Sequence, residues 1–208
     1  MKKLLFIALA GLLAFAGCKQ AQPEKTIANL KWAYEKELTA SVRYAAFALK
    51  AQEEGNEAVA KLFNAVSKSD GIHAENHLKA LEAHGVTMGE VTPQFENLTT
   101  AENLENSIKG ETIAIEEKFP QYLAEAVEEK VDEAKLSFLW VIETEKAHHV
   151  FFTKALESLK AAADATLPAV VLPEGYAVCP KCGHIYDVAA QEDTCAFCET
   201  EKASFLIF

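Results

Sequence analysis

Two stretches of the chain place an acid three residues before a histidine: Asp70-Gly-Ile-His73 and Glu145-Lys-Ala-His148. On a helix, positions i and i+3 share a face, so each pair can aim a carboxylate and an imidazole at one centre. A glutamate stands upstream of each at nearly the same distance: Glu37 lies 33 residues before Asp70, and Glu111 lies 34 before Glu145. A single acid-x-x-His is most often a solvated surface pair. Two at matched spacing, each with its own upstream Glu, form the donor set of a carboxylate-bridged dimetal site inside a helix bundle. Four carboxylates would balance two divalent ions and would be costly to bury without them. The neighbouring histidines look less special. His77, one turn beyond His73, is expected to pack or to face solvent. His149 points about 100° away from His148, and His84 sits at a helix end beside Gly85.

A second donor set lies near the C-terminus. Cys179-Pro-Lys-Cys182 and Cys195-Ala-Phe-Cys198 are separated by 12 residues. Each C-x-x-C makes a tight knuckle that aims two sulfurs at one point. Two knuckles make a tetrahedral four-sulfur site for zinc or a single iron. A segment this short lacks the core to fold alone, so a metal clip makes physical sense. Disulfides are the competing use of four thiols in an exported chain, but two close-spaced pairs fit a metal knuckle better.

The elements that must carry these residues are mostly helical. Leu30, Ala33, Tyr34, Leu38, Val42, Ala45 and Leu49 recur at three- and four-residue steps in an Ala/Glu/Lys-rich run, which predicts an amphipathic helix ending near Gly55. A second helix runs from Asn56 to Gly85, weakened at Gly71. Thr99-Thr100-Ala101-Glu102 reads as a capping box opening a third. That helix meets Pro120, where a kink or break is expected. A turn near 129–131 precedes a last helix that ends near residue 163. Four long helices with such connections predict a four-helix bundle over residues 26–163. Residues 164–175 read as a Pro-punctuated linker and 176–208 as a small cysteine module.

The N-terminus reads as a targeting segment. Lys2 and Lys3 precede an apolar run from Leu4 to Gly17, too short for an ordinary spanning helix of about 20 residues and typical of a secretory signal over residues 1–17. Phe15-Ala16-Gly17-Cys18 resembles a bacterial lipobox, which makes Cys18 the expected lipidation site and residues 18–25 a tether. The expected place is then the outer face of a bacterial membrane, held by a lipid. Removing Lys2 and Lys3 with the signal takes the net charge from −11 to −13. Such an acidic chain is a poor nucleic-acid binder.

Taken together, residues 26–208 resemble the rubrerythrins. The resemblance is carried by "ELTASVRYAAFA", "IHAENHLKAL", Glu111 nine residues before Pro120, "ETEKAHH", and a final module resembling rubredoxin down to "CPKCG" and "ASFLIF". It implies a ferritin-like diiron bundle joined to an iron–tetracysteine domain. The implied activity is reduction of hydrogen peroxide to water in oxidative-stress protection, with the tetracysteine iron relaying electrons, commonly across a homodimer interface. Glu37, Asp70, His73, Glu111, Glu145 and His148 would hold two irons, with manganese or zinc as substitutes. Cys179, Cys182, Cys195 and Cys198 would hold one iron, or zinc, and Tyr44 would stand beside the dimetal site. The electron donor is unknown. Three positions depart from the family pattern. Asp70 replaces a Glu. Ala114 stands where the family has a further Glu that exchanges with the second-helix His between redox states, so His73 is expected to stay fixed. Phe119 replaces a Tyr. The competing expectations are ferritin-like iron oxidation or sequestration, and a zinc-clipped structural lipoprotein.

Overall fold

The computed structural model describes residues 22–208; the expected signal segment and the expected lipidation site Cys18 lie outside the described residues. Helix α1 spans Glu24–Glu53 and α2 spans Glu57–Ala83. They form a tight hairpin, turned at Gly55 with φ +77°, a left-handed conformation that glycine adopts without strain. Gly85, φ +72°, ends α2 in the same way. After an irregular crossing, α3 occupies Thr100–Ile113, a π-helical turn Ala114–Lys118, α4 Phe119–Glu128 and α5 Asp132–Ala163. The run from α3 through α4 forms one arm of a second hairpin against α5, and α2 also packs on α5. The result is a four-helix bundle.

The helix ends show what sequence reasoning could and could not see. The Thr99–Glu102 capping box is present in both directions. Glu54 adds a tertiary cap by accepting from Thr100 N at 2.9 Å. Helix α1 starts at Glu24, inside the expected tether, because Glu129 on the far hairpin accepts from Thr26 N at 2.8 Å. At Pro120 the helical run changes register rather than ending. The proline falls in the first turn of α4, directly after the π turn, whose wider spacing accommodates a ring that would clash with the carbonyl four residues back in an α-helix. The turn before α5 falls where expected, with Lys130 at φ +60°.

Two apolar clusters fill the bundle. One gathers Tyr44, Phe47, Phe63, Leu104 and Phe152. The other gathers Leu30, Leu81, Phe119, Phe138 and Val141. Along each helix the candidate ligands fall between members of the two: Glu37 between Leu30 and Tyr44, and Glu145 between Phe138 and Phe152. The polar layer is thus sealed above and below by hydrophobic packing, which keeps bulk water away from it.

The C-terminal module is a three-stranded antiparallel sheet in the order β2-β1-β3, with β1 at Tyr176–Val178, β2 at Ile185–Asp187 and β3 at Leu206–Ile207. Val178 pairs with Ile185 on one side and Leu206 on the other. The module does not stand apart. Tyr176, Val178 and Ile185 are buried in the first bundle cluster, whereas Ala177 packs with Cys179, Cys182, Cys195 and Phe205.

Candidate metal centres

Helix periodicity brings all six carboxylate and imidazole candidates into the sealed layer, every one buried. His73 Nδ1 lies 3.6 Å from Glu37, 3.5 Å from Glu145 and 4.0 Å from Asp70. His148 Nδ1 lies 3.3 Å from Glu145 and 3.7 Å from Asp70. Two ligand groups result: Glu37, Asp70, His73 and Glu145, and Glu111, Glu145 and His148. Glu145 belongs to both, offering Oε1 toward His73 and Oε2 toward His148. The side chain of Asp70, although one methylene shorter than Glu, also reaches between the two imidazoles. Tyr44 donates to Glu111 Oε1 at 2.8 Å and orients it.

Electrostatics make this nest unfavourable without cations. Asp70 Oδ1, Glu145 Oε1 and both ring nitrogens of His73 are buried without a hydrogen-bond partner. Burial, then repulsion from Glu145, pushes Asp70 and Glu111 well above the usual carboxylate range. Burial also raises Glu37. For His73, burial opposes the charge, but Glu145 and Glu37 outweigh it and lift its pKa to about 9. His148 is driven down to about 3, chiefly by burial. Orphaned acceptors, converging lone pairs and four carboxylates fit a pair of divalent ions. A prediction follows from the signs. With its pKa at about 9, His73 holds a proton at pH 7 that it must lose to bind metal, and the raised carboxyls shift the same way. Loading metal-free protein at pH 7 should therefore release about one proton or more per chain, read by pH-stat, and loading should weaken as pH falls. Uptake without proton release would contradict this ligand set.

A cavity of about 260 Å³ opens on the carboxylates. Trp32, Lys36, Arg43, Ile113, Ala114 and Phe119 form its outer wall, and Glu37, Asp70, Glu111 and Glu145 its inner end. Ala114 sits in the π turn at the edge of this opening. The imidazoles face the other way.

At the second centre, Cys179 Sγ lies 3.4 Å from Cys198 Sγ, and Cys182 Sγ lies 3.5 Å from Cys195 Sγ. These are non-bonded sulfurs close to the edge of a tetrahedron with metal–sulfur bonds of about 2.3 Å. Hydrogen bonds from the Cys179 and Cys182 thiols hold Cys195 far below the ordinary thiol value, with Tyr186 OH donating to it at 3.3 Å as well. The same contacts push Cys182 up, and Cys179 rises to about 11, so binding a soft or borderline cation at the four sulfurs must displace the protons these thiols hold.

The two centres touch. Ser69 Oγ donates to Gly183 O at 2.6 Å and lies 3.1 Å from His148 Nε2. A hydroxyl has one proton, so His148 must donate from Nε2, which leaves Nδ1 bare toward Glu145 and Asp70. That is the tautomer a metal needs. Gly183, next to Cys182, lies against His73: a Cβ there would stand 2.6 Å from His73 Nε2. Sequence reasoning missed Ser69 and Gly183. It also missed His184, which lies 3.4 Å from Thr144 and packs on Phe197 at 4.3 Å, and Trp140, which packs against the cysteine cluster. His77 is wholly buried, held by Ser137 at 2.8 Å and stacked on Phe119, so it packs rather than joining the nest.

A four-helix bundle with a carboxylate–histidine nest of dimetal type, joined to a four-cysteine module, defines a restricted class of metalloprotein. Residues 28–156 match the family model described as rubrerythrin, and the chain belongs to the rubrerythrin family. It is 30% identical over 183 residues to Rubrerythrin-2 of Clostridium acetobutylicum, covering 86% of this chain and 94% of that one. It is 26% identical to nigerythrin of Nitratidesulfovibrio vulgaris, over 88% of this chain and 86% of the relative. Among solved structures, a fully reduced, all-ferrous nigerythrin superposes with a TM-score of 0.74 at 24% identity, covering 94% and 91% of the two chains. The fold is therefore the mainly helical one expected, ending in a rubredoxin-like four-cysteine module.

Proposed function

We propose that this chain is a non-haem diiron peroxidase that reduces hydrogen peroxide to water with electrons from its four-cysteine site. The observation that carries the reading is that the nest is open on one side and covered by the cysteine knuckle on another. A cavity reaches the carboxylates from one side, and the cysteine knuckle abuts the imidazoles from another. Reactant and electrons can arrive by separate routes.

Glu37, Asp70, His73, Glu111, Glu145 and His148 would hold two iron ions, and Cys179, Cys182, Cys195 and Cys198 a third. Bound there, the ion pair supplies Lewis acidity and one electron from each metal to the O–O bond. The protein's own residues do the rest. Tyr44 fixes Glu111. Trp32 and Phe119 narrow the cavity and limit water around the nest. His73 lies between Glu37, Glu145 and Gly183, with both carboxylates within 3.6 Å of its Nδ1. This supports a fixed ligand, as the absence of a carboxylate at Ala114 suggested. Peroxide, two electrons and two protons balance as two waters. Export, a lipid anchor on Cys18, homodimer formation and an external one-electron donor belong to the same proposal.

Anaerobic stopped-flow tests the reading. Reduced, iron-loaded protein mixed with peroxide should show the ferric thiolate absorption rise as about two electrons are consumed per peroxide. If both centres stay reduced on the turnover timescale, the reading fails.

A further inference from the structure

We propose that the cavity above the nest takes organic hydroperoxides, ROOH with an apolar R up to the size of a cumyl group, as well as hydrogen peroxide, and that Gly110 is the specificity-determining residue that admits them. The proposal rests on the peroxidase reading for the reduction itself; the fit of R to the cavity stands apart from it.

Hydrogen peroxide leaves most of this space unused. Its two oxygens need about 60 Å³, twice the share of a water in the liquid, whereas the cavity offers about 260 Å³. An apolar cavity of about 150 Å³ already holds benzene. The carboxylates, and the ions they would hold, occupy the inner end, so the rest of the space belongs to the outer wall. The middle of that wall is apolar. Trp32 meets Phe119 edge to face at 6.5 Å, and Ala40 and Ala114 line the same space with small side chains. Its two cations lie over aromatic rings: Lys36 Nζ is 5.6 Å from the Trp32 ring centre, and the Arg43 guanidinium is 4.8 Å from that of Tyr44. A largely apolar cleft with its polar groups gathered at one end is the usual build of a small-molecule site. Here the polar end suits the O–O group and the apolar wall suits R.

Gly110 carries the argument further. It lies inside α3, where glycine is the least favourable residue after proline. Its φ is not left-handed, and a Cβ there would meet no atom of the surrounding structure within 4 Å. Neither backbone geometry nor close packing therefore calls for a glycine. The missing side chain keeps the cavity wide, directly before Glu111 and one turn from Ala114.

The reaction needs no new reductant. The O–O bond of ROOH breaks, two electrons and two protons enter, and ROH and one water leave. The electrons are the two that would otherwise reduce hydrogen peroxide, and the reduced protein is oxidised by the same two units.

Calorimetry of the oxidised, iron-loaded full chain with 2-phenylpropan-2-ol, the alcohol that cumene hydroperoxide yields, tests the fit without turnover. Saturable binding of one alcohol per chain is expected. Gly110→Leu should weaken it by more than about tenfold, whereas Gly110→Ala, whose Cβ has room, should weaken it little. Both substitutions favour the helix, so a difference between them reads bulk in the cavity rather than folding. In anaerobic stopped-flow, cumene hydroperoxide should oxidise the reduced protein, and Gly110→Leu should slow that reaction by more than about tenfold beyond any effect on hydrogen peroxide. Absence of alcohol binding, or a parent and a Gly110→Leu chain that match in binding or in a measurable cumene hydroperoxide rate, overturns the proposal. If hydrogen peroxide oxidises the protein and cumene hydroperoxide does not, the proposal fails and the peroxidase reading stands. If neither peroxide reacts but the alcohol binds in the Gly110-dependent way, the peroxidase reading fails and the fit of R to the cavity stands.

Discussion

Glu145→Ala is expected to empty both metal positions of the bundle at once, whereas Glu37→Ala is expected to lose one ion and keep the other. The difference follows from where the oxygens point. Glu37 faces His73 alone. Glu145 faces His73 with Oε1 at 3.5 Å and His148 with Oε2 at 3.3 Å, and it belongs to both ligand groups. Losing it takes one donor from each ion and removes the shared charge that lets two cations sit side by side. Partners that merely orient a ligand change affinity by about 10- to 100-fold, so a shared ligand should change it by more than about 100-fold. Elemental analysis after loading and desalting should find about two bundle ions in the parent chain, about one in Glu37→Ala and almost none in Glu145→Ala. The four-cysteine ion should be unaffected in all three. Peroxide-driven oxidation should fall with the ion pair. Two ions retained in Glu145→Ala would mean that Asp70 alone bridges, and the assignment of Glu145 would fail.

The two donor sets were legible because their chemistry forces residue types into fixed spacings. Carboxylate and imidazole must share a helix face, so acid-x-x-His repeats in the sequence. Sulfurs must converge, so C-x-x-C repeats as well. The same holds for Gly55, Gly85 and the Thr99–Glu102 box, whose roles are local. What stayed hidden depends on tertiary contact. Glu129 caps α1 from more than a hundred residues away, so the start of α1 could not be read locally. The π turn at Ala114–Lys118 is a shift of hydrogen-bond register, which no residue type demands. Which carboxylates are shared depends on how two hairpins pack. Ser69 reads as one more polar residue beside Asp70, and Gly183 as the ordinary glycine of a cysteine knuckle. Each acquires its meaning only when the module settles on α2. Tyr176 and Val178 read as module residues by position, yet their side chains belong to the bundle.

That shared core shapes the second large effect. Cys182→Ser should release the ion of the four-cysteine site and unfold the cysteine knuckles, while the bundle survives with a lowered melting temperature. The module's private core is only Ala177, Cys179, Cys182, Cys195 and Phe205, and its strands are two or three residues long. So little buried area cannot offset the entropy of ordering the segment. Metal ligation in comparable structural sites contributes about 10–16 kcal/mol, and Cys182 is one of four ligands and the one chained to Gly183. Amide exchange should therefore rise by orders of magnitude at Cys195 and Glu199, whose backbone N–H groups close the second knuckle. Tyr176 and Val178 belong to the bundle's apolar cluster, with Tyr176 against Phe151 at 5.2 Å, rather than to the ion's surroundings, so their exchange should rise far less. A gradient from the knuckles to β1 is the signature to look for by hydrogen exchange. Uniform loss across residues 176–208 would show that the metal, rather than the bundle, holds β1 in place. Unchanged protection at the knuckles would show that the thiolate site is not what orders the module. Phe197→Ala is the matched control. Phe197 is 39% exposed and ligates nothing, so it should leave ion content unchanged and cost little stability, although it removes the ring on which His184 packs.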